Sequence, residues 1–209
     1  MTDMAILDHI AIHSIQVSLV ATKLVDIFSD RGLILNRDLV RSASLLHDIT
    51  KTRSLKTGEN HAATGSELIR SLGYPDVARL VAQHVRLERM SGWSEPPREE
   101  EIVNYADKRV LHDEIRPLED RRHYIMKRYG TEPARRIMIQ NMFEDSFRLE
   151  ERLFRLLDLS PLNLESLVER INDSWELKIY RAFAPLQQQE TDNGSSATNI
   201  VISPHEVIS

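Results

Sequence analysis

Six histidine and aspartate side chains in the first half of the chain are of the types that bind metal ions. They follow the order His, His-Asp, His, His, Asp, and they are His13, His47, Asp48, His61, His84 and Asp107. The chain has no cysteine, which excludes disulfides, thiolate zinc sites, cysteine-ligated iron–sulfur clusters and a thiol nucleophile. Imidazole and carboxylate ligands without thiolates suit first-row metal ions such as iron, manganese and zinc.

Three of these polar side chains fall on apolar faces of separate predicted helices. His13, His84 and Asp107 each share a face with hydrophobic residues at steps of three and four. A single histidine on such a face is usually a core residue whose hydrogen bonds are satisfied by its neighbours. Several buried groups that converge on one interior need each other or a cation, because an unpartnered one costs a few kcal/mol.

The His-Asp pair occurs twice, and its surroundings separate the two copies. His47-Asp48 ends an apolar helix that follows a predicted cap at Asn36. His112-Asp113 lies in a charged run, which favours a solvated surface position. Only the first pair is therefore a candidate for chemistry.

The elements that must position these residues are predicted to be helices. Glycine is scarce, at 7 of 209 residues, and no alternating strand pattern is found. The sequence therefore predicts an all-α fold with its main core in the first ~130 residues. Apolar periodicity and helix-end signals predict polar loops at 52–60 and 91–97, and helices at 3–29, from 36, at 61–72, from 75, from 99, at 117–129, at 133–157 and from 161.

The ordered motifs resemble a known family. His13-Ser14, Leu45-Leu46-His47-Asp48, His61 with Gly65, His84 and Tyr105-Ala106-Asp107 are similar to the HD superfamily of metal-dependent phosphohydrolases. The order is that of its dinuclear-metal members, and the resemblance spans residues 12–109. The set is also similar to the small bacterial HD proteins that include symmetrical diadenosine-tetraphosphate hydrolases. Thr50 departs from the pattern, since many relatives have Gly there.

This resemblance implies a pair of divalent ions. His13, His47, Asp48 and Asp107 would hold one ion, and Asp48 would bridge to a second held also by His61 and His84. Iron or manganese is expected, with zinc, magnesium, cobalt or nickel as alternatives. A metal-bridged hydroxide would attack the phosphorus of a bound substrate.

Three basic residues are predicted to meet the phosphate of the substrate: Lys51, Lys108 and Arg109. In similar proteins a lysine at the place of Lys51 faces the site, so Lys51 and Asp48 are predicted as the catalytic side chains. The alternatives are an exposed lysine at the end of a helix for Lys51, and surface charge for at least one of Lys108 and Arg109.

The chain is predicted to comprise an HD domain at 1–130, a helical extension at 131–185 and a disordered tail at 186–209, where the composition changes. The extension is expected to pack on the core or to form an interface with a second copy. A net charge of −5 argues against a duplex nucleic acid partner. No stretch approaches the ~20 apolar residues of a membrane span, and the N-terminus does not resemble a secretory signal, so a cytoplasmic location is expected.

The expected function is cleavage of a phosphate ester or anhydride, in a nucleotide or a related small molecule. Two alternatives stay open because the ligand types would be nearly the same. One is a diiron oxygenase on the HD scaffold, and the other is a non-catalytic module that senses a nucleotide.

Overall fold

A computed structural model describes residues 6–192, with side chains described as far as residue 183. These residues are mostly helical, which confirms the predicted all-α class. The elements are α1 (Asp8–Asp30), α2 (Arg37–Leu46), α3 (Lys51–Thr57), α4 (His61–Ser71), α5 (Pro75–Ala82), α6 (Glu99–Arg109), β1 (Val110–Leu111), β2 (Glu114–Ile115), α7 (Leu118–Tyr129), α8 (Pro133–Leu157), α9 (Leu164–Leu167) and α10 (Trp175–Asp192).

The long helix α1 is the central helix of the core. It packs against α2 and α6, and buried residues occur around most of its circumference. By length and composition alone α1 could cross a membrane, so the expectation that no stretch is long and apolar enough does not hold for it. Helix α1 is apolar because the other helices of the bundle pack around it, and 78% of its most apolar 18-residue window is buried inside the protein.

Local signals placed several helix ends correctly. The Asn36 side chain caps α2 by accepting a hydrogen bond from the backbone N–H of Leu39. Pro75 occupies the first turn of α5, and α8 has the bounds that the sequence predicts. Caps and prolines depend on residues within one turn, so they can be recognised without knowing the tertiary structure.

Two predicted elements were wrong. The polar loop predicted at 52–60 contains the short helix α3, which ends at Gly58 with a φ of 73°. Its only fully buried residue is Ser54, so it lacks the apolar face by which a helix is recognised. The single helix predicted from Pro161 is instead broken into α9, α10 and 3-10 turns at Pro161–Asn163 and Ile171–Asp173.

A small antiparallel hairpin was not predicted. Val110 pairs with Ile115 and Leu111 pairs with Glu114, and His112 lies at the turn with a φ of 60°. Strands of two residues are too short to show alternation of apolar and polar residues. The hairpin joins α6 to α7 and brings the backbone of His112 towards α1.

The extension beyond residue 130 packs on the core through α8, which contacts α6 and α7. Arg152 of α8 is paired with Glu101 of α6, and both side chains are buried. The last helix, α10, contacts α1 and continues to Asp192, past the boundary predicted at residue 186. The rest of the predicted tail, 193–209, lies outside the described residues.

Candidate metal centre

The six predicted ligands come from separate parts of the fold and meet in one cluster. His13 lies in the second turn of α1, and the His47-Asp48 pair directly follows α2. The other three are His61, the first residue of α4, His84, two residues beyond α5, and Asp107, near the end of α6. Five of these six side chains are buried, and that of His61 is slightly more accessible.

Asp48 stands at the centre of the cluster and divides its two carboxylate oxygens. Its Oδ1 lies 3.3 Å from Nε2 of His61 and 3.6 Å from Nε2 of His84. Its Oδ2 lies 3.5 Å from Nε2 of His47 and 3.1 Å from Nζ of Lys51. Asp48 thus faces His61 and His84 with one oxygen and His47 with the other, as a bridging ligand would.

Asp107 is the second carboxylate of the cluster. Its Oδ1 lies 3.1 Å from Nε2 of His13 and 3.6 Å from Nε2 of His47. Its Oδ2 accepts a hydrogen bond from Nζ of Lys108 at 2.9 Å. Ligands that share one first-row ion through bonds of about 2.0–2.2 Å lie about 3–3.5 Å apart, so these separations are compatible with a shared cation.

Backbone carbonyl groups hold three of the four imidazole rings. In each ring Nδ1–H donates to a carbonyl oxygen, which directs Nε2 towards the cluster. The pairs are His13 with His112 at 2.9 Å, His47 with Ser44 at 2.7 Å and His84 with Val81 at 2.7 Å. Metal-binding histidines are commonly oriented by such bonds.

The arrangement leaves acceptor atoms that a cation would satisfy. Burial lowers the pKa of both His13 and His84, so each neutral ring presents a lone pair at Nε2. The lone pair of His13 therefore faces Oδ1 of Asp107 at 3.1 Å. Both atoms are acceptors in this protonation state, and a cation between them would satisfy both. Among the described residues, the buried Nε2 of His47 and Oδ1 of Asp48 have no hydrogen-bond partner. The donor set therefore fits divalent metal ions.

The charges around the cluster favour ionised carboxylates at Asp48 and Asp107 and a neutral ring at His61. The pKa of His47 is raised, because the attraction of Asp48 and Asp107 outweighs its burial. Burial by itself would raise the pKa of Asp48 and of Asp107, but both are held well below the ordinary value. The ammonium groups of Lys51 and Lys108 are the largest opposing influences, respectively. Burial, aided by the charge of Lys51, lowers the pKa of His61 to about 3. At neutral pH the carboxyl groups of Asp48 and Asp107 are therefore ionised, and the imidazole of His61 is neutral.

The three predicted phosphate-binding residues have different surroundings. Lys51 is 25% exposed and lies at the cluster beside Asp48. Lys108 is buried, and its Nζ donates to the carbonyl of His84 at 2.7 Å as well as to Asp107. It therefore joins the ends of α5 and α6, and it is not a surface charge.

Arg109 contacts several groups within the protein. Its guanidinium is buried, forms an ion pair with Glu150 at 3.0 Å, and donates to the hydroxyl of Tyr105 at 2.5 Å. It also donates to the backbone carbonyls of Arg116 and Pro161. Arg109 thus connects α6 to α8 and uses its donors within the protein, whereas its position two residues after Asp107 predicts a phosphate contact.

Two further residues at the cluster were not predicted as site residues from the sequence. Thr50 donates a hydrogen bond from its hydroxyl to the carbonyl of His61 at 2.9 Å and so holds the start of α4. Arg121 of α7 reaches within 4.0 Å of Oδ1 of Asp107. Thr50 stood out as a departure from the family pattern, whereas nothing in the sequence pattern distinguishes Arg121 from its neighbour Arg122.

A cavity of about 400 Å³ adjoins the cluster between α1, the end of α2 and α10. Asp48 is one of its lining residues, and most of the lining is apolar, including Ile10, Leu45, Ile179 and Phe183. The site is therefore bordered by space for the organic part of a small molecule.

Comparisons with known proteins agree with this geometry. Residues 10–110 match the family described as HD domain. An uncharacterized protein of Methanocaldococcus jannaschii is 29% identical over 126 residues, which cover 52% of this chain and 73% of the relative. No solved structure matches the chain significantly.

Proposed function

Starting from the HD domain at residues 10–110, we propose that this protein is a metal-dependent phosphohydrolase acting on a small phosphorylated compound. HD domains are typically metal-dependent phosphohydrolases. The observation that carries the proposal is the buried pair of ligand groups, His13 with His47 and Asp107, and His47 with Asp48 and His84. The finer part of the proposal is that two ions bind and that the substrate is a nucleotide ester or anhydride.

The number of metal-binding atoms on His47 and on Asp48 supports an arrangement of two ions. His47 belongs to both ligand groups, but an imidazole Nε2 has one lone pair and binds one ion. Asp48 has two oxygens that face different histidines, so it is the residue suited to bridge. His61 lies beside Asp48 and His84 and completes the second set.

Divalent ions in this site would supply positive charge to a phosphoryl oxygen and lower the pKa of a water molecule towards ~7. The side chains of the protein contribute orientation and charge. The ammonium group of Lys51 lies 3.1 Å from Oδ2 of Asp48, which supports a role in neutralising a phosphate oxygen or donating a proton to the leaving group. The backbone carbonyls that hold the rings of His13, His47 and His84 keep the cluster preorganised.

The proposal predicts phosphate release without oxygen. Purified protein is analysed for metals and is then incubated anaerobically with Mn or Fe and a panel of nucleotides and dinucleotides. We expect metal-dependent release of phosphate or of a nucleoside phosphate. Turnover that requires oxygen and leaves the phosphate bond intact would favour the oxygenase alternative, and tight nucleotide binding without turnover in any metal would favour a sensing module.

Replacing Lys51 by Ala is expected to lower turnover about 10- to 100-fold while the metal content stays the same. The magnitude follows from the loss of one charge-assisted hydrogen bond, worth about 1.5–3 kcal/mol. Steady-state kinetics and elemental analysis measure the two quantities. The control is Lys56→Ala, an exposed lysine in the same short helix, which should retain full turnover. A parallel fall in metal content in Lys51→Ala would show that Lys51 acts through Asp48 instead.

A further inference from the structure

The guanidinium group of Arg121 lies at the edge of the metal cluster but is not bonded to it. Its nearest acidic atom is Oδ1 of Asp107 at 4.0 Å, which is longer than a hydrogen bond. The side chain is only 14% exposed, so the charge is held largely away from bulk water. Arg121 is therefore placed by the fold against the cluster without being neutralised by a close partner.

Two other arginines of this protein donate several hydrogen bonds within it, although the buried Nε of Arg152 has no partner. Arg109 donates to two side-chain oxygens and two backbone carbonyls. Arg152 donates to Glu101 and to the carbonyl of Glu95. Within the part of the chain whose side chains are described, the guanidinium of Arg121 donates no hydrogen bond. A guanidinium has five N–H donors, so Arg121 keeps donors that a ligand at the cluster could accept from.

Asp107 is not able to serve as the missing partner. Its Oδ2 is taken by Lys108 at 2.9 Å, and its Oδ1 lies 3.1 Å from the ring of His13 and 3.6 Å from that of His47. Once that oxygen binds a cation, it faces the cation and not Arg121. Positive charge in the cluster would then repel the guanidinium unless an anion lay between them.

The position of Lys51 shows where such an anion would lie. Lys51 contacts Asp48, and Arg121 approaches Asp107, so the two basic groups lie beside different carboxylates of the cluster. His47 is shared by these carboxylates, because its Nε2 lies within 3.6 Å of an oxygen of each. A phosphate bound over His47 would have a cationic side chain on either side.

We propose that Arg121 binds an anionic oxygen of the substrate's phosphate, opposite Lys51, and so takes the role that the sequence assigned to Arg109. This inference rests on the proposed phosphohydrolase function. Arginine suits the task because its planar fork can donate two parallel hydrogen bonds to a phosphate. The donors of Arg121 that have no partner within the protein would be used in this way.

The test measures binding of inorganic phosphate to the metal-loaded protein by calorimetry. We expect Arg121→Gln to weaken phosphate binding by at least about 10-fold, the loss expected for one charge-assisted hydrogen bond. Elemental analysis should give an unchanged metal content, and Arg121→Lys should recover part of the affinity because it restores the charge. The matched control is Arg122→Gln, since Arg122 is 41% exposed and pairs with Glu119; it should bind phosphate as the wild type does.

Distinct outcomes separate this inference from the function on which it rests. Unchanged phosphate affinity in metal-loaded Arg121→Gln would overturn the inference and leave the phosphohydrolase proposal intact. A loss of metal in the same variant would assign Arg121 to the support of Asp107 and would also overturn it. Wild-type protein that retains no metal and releases no phosphate would remove the proposed function and the inference together.

Discussion

Asp48→Ala is expected to reduce bound metal to background and to abolish turnover. Asp48 lies within 3.6 Å of three histidine rings, so its removal takes a carboxylate oxygen from both halves of the cluster. Replacing groups that merely support a ligand costs 10- to 100-fold in metal affinity or activity. The loss of a bridging ligand should exceed that range. Elemental analysis and the anaerobic phosphate-release assay measure the two effects.

His47→Ala should behave in the same way, because its Nε2 is near both Asp48 and Asp107. The second His-Asp pair of the chain provides matched controls. Asp113→Ala removes an exposed carboxylate, and we expect its metal content and turnover to equal those of the wild type. His112→Ala should also retain turnover, since only the backbone carbonyl of His112 contacts a ligand. Equal losses at the two pairs would mean that the wrong histidines were identified.

Glu101→Ala is expected to be the most destabilising of the substitutions considered. Glu101 is fully buried, and its Oε2 accepts a hydrogen bond from Arg152, whose side chain is 2% exposed. Its Oε1 accepts from the backbone N–H of Ser91. Removing one partner of a buried ion pair strands the other charge and costs about 3–5 kcal/mol. For a chain of this size we expect the melting temperature to fall by roughly 10 °C.

Thermal unfolding followed by circular dichroism measures this effect. The exposed pair between Arg122 and Glu119 is the control, and Glu119→Ala should cost no more than about 1 kcal/mol. The double variant Glu101→Leu with Arg152→Met should recover much of the lost stability, because no buried charge is left unpaired. A melting temperature within about 2 °C of the wild type in Glu101→Ala would contradict the interpretation that this pair joins α8 to the core.

The sequence by itself determined the residue types of the cluster, their order and the helical class of the fold. Asn36 at a helix start, Pro75 in a first turn and the period of residues 133–157 are local signals, and each marks an element that the structure contains. Residue type alone limited the metal chemistry, since a chain without cysteine offers no thiolate ligand.

The tertiary structure decided which side chains face the cluster and which serve other purposes. Arg109, two residues after Asp107, is directed to Glu150, 41 positions away, while Arg121 reaches Asp107 from α7. The ring of His13 is held by the carbonyl of His112, 99 positions away. These contacts depend on how each helix is rotated and on which distant element packs against it. Charges and lone pairs are neutralised by neighbours in space, and a single sequence records only neighbours along the chain.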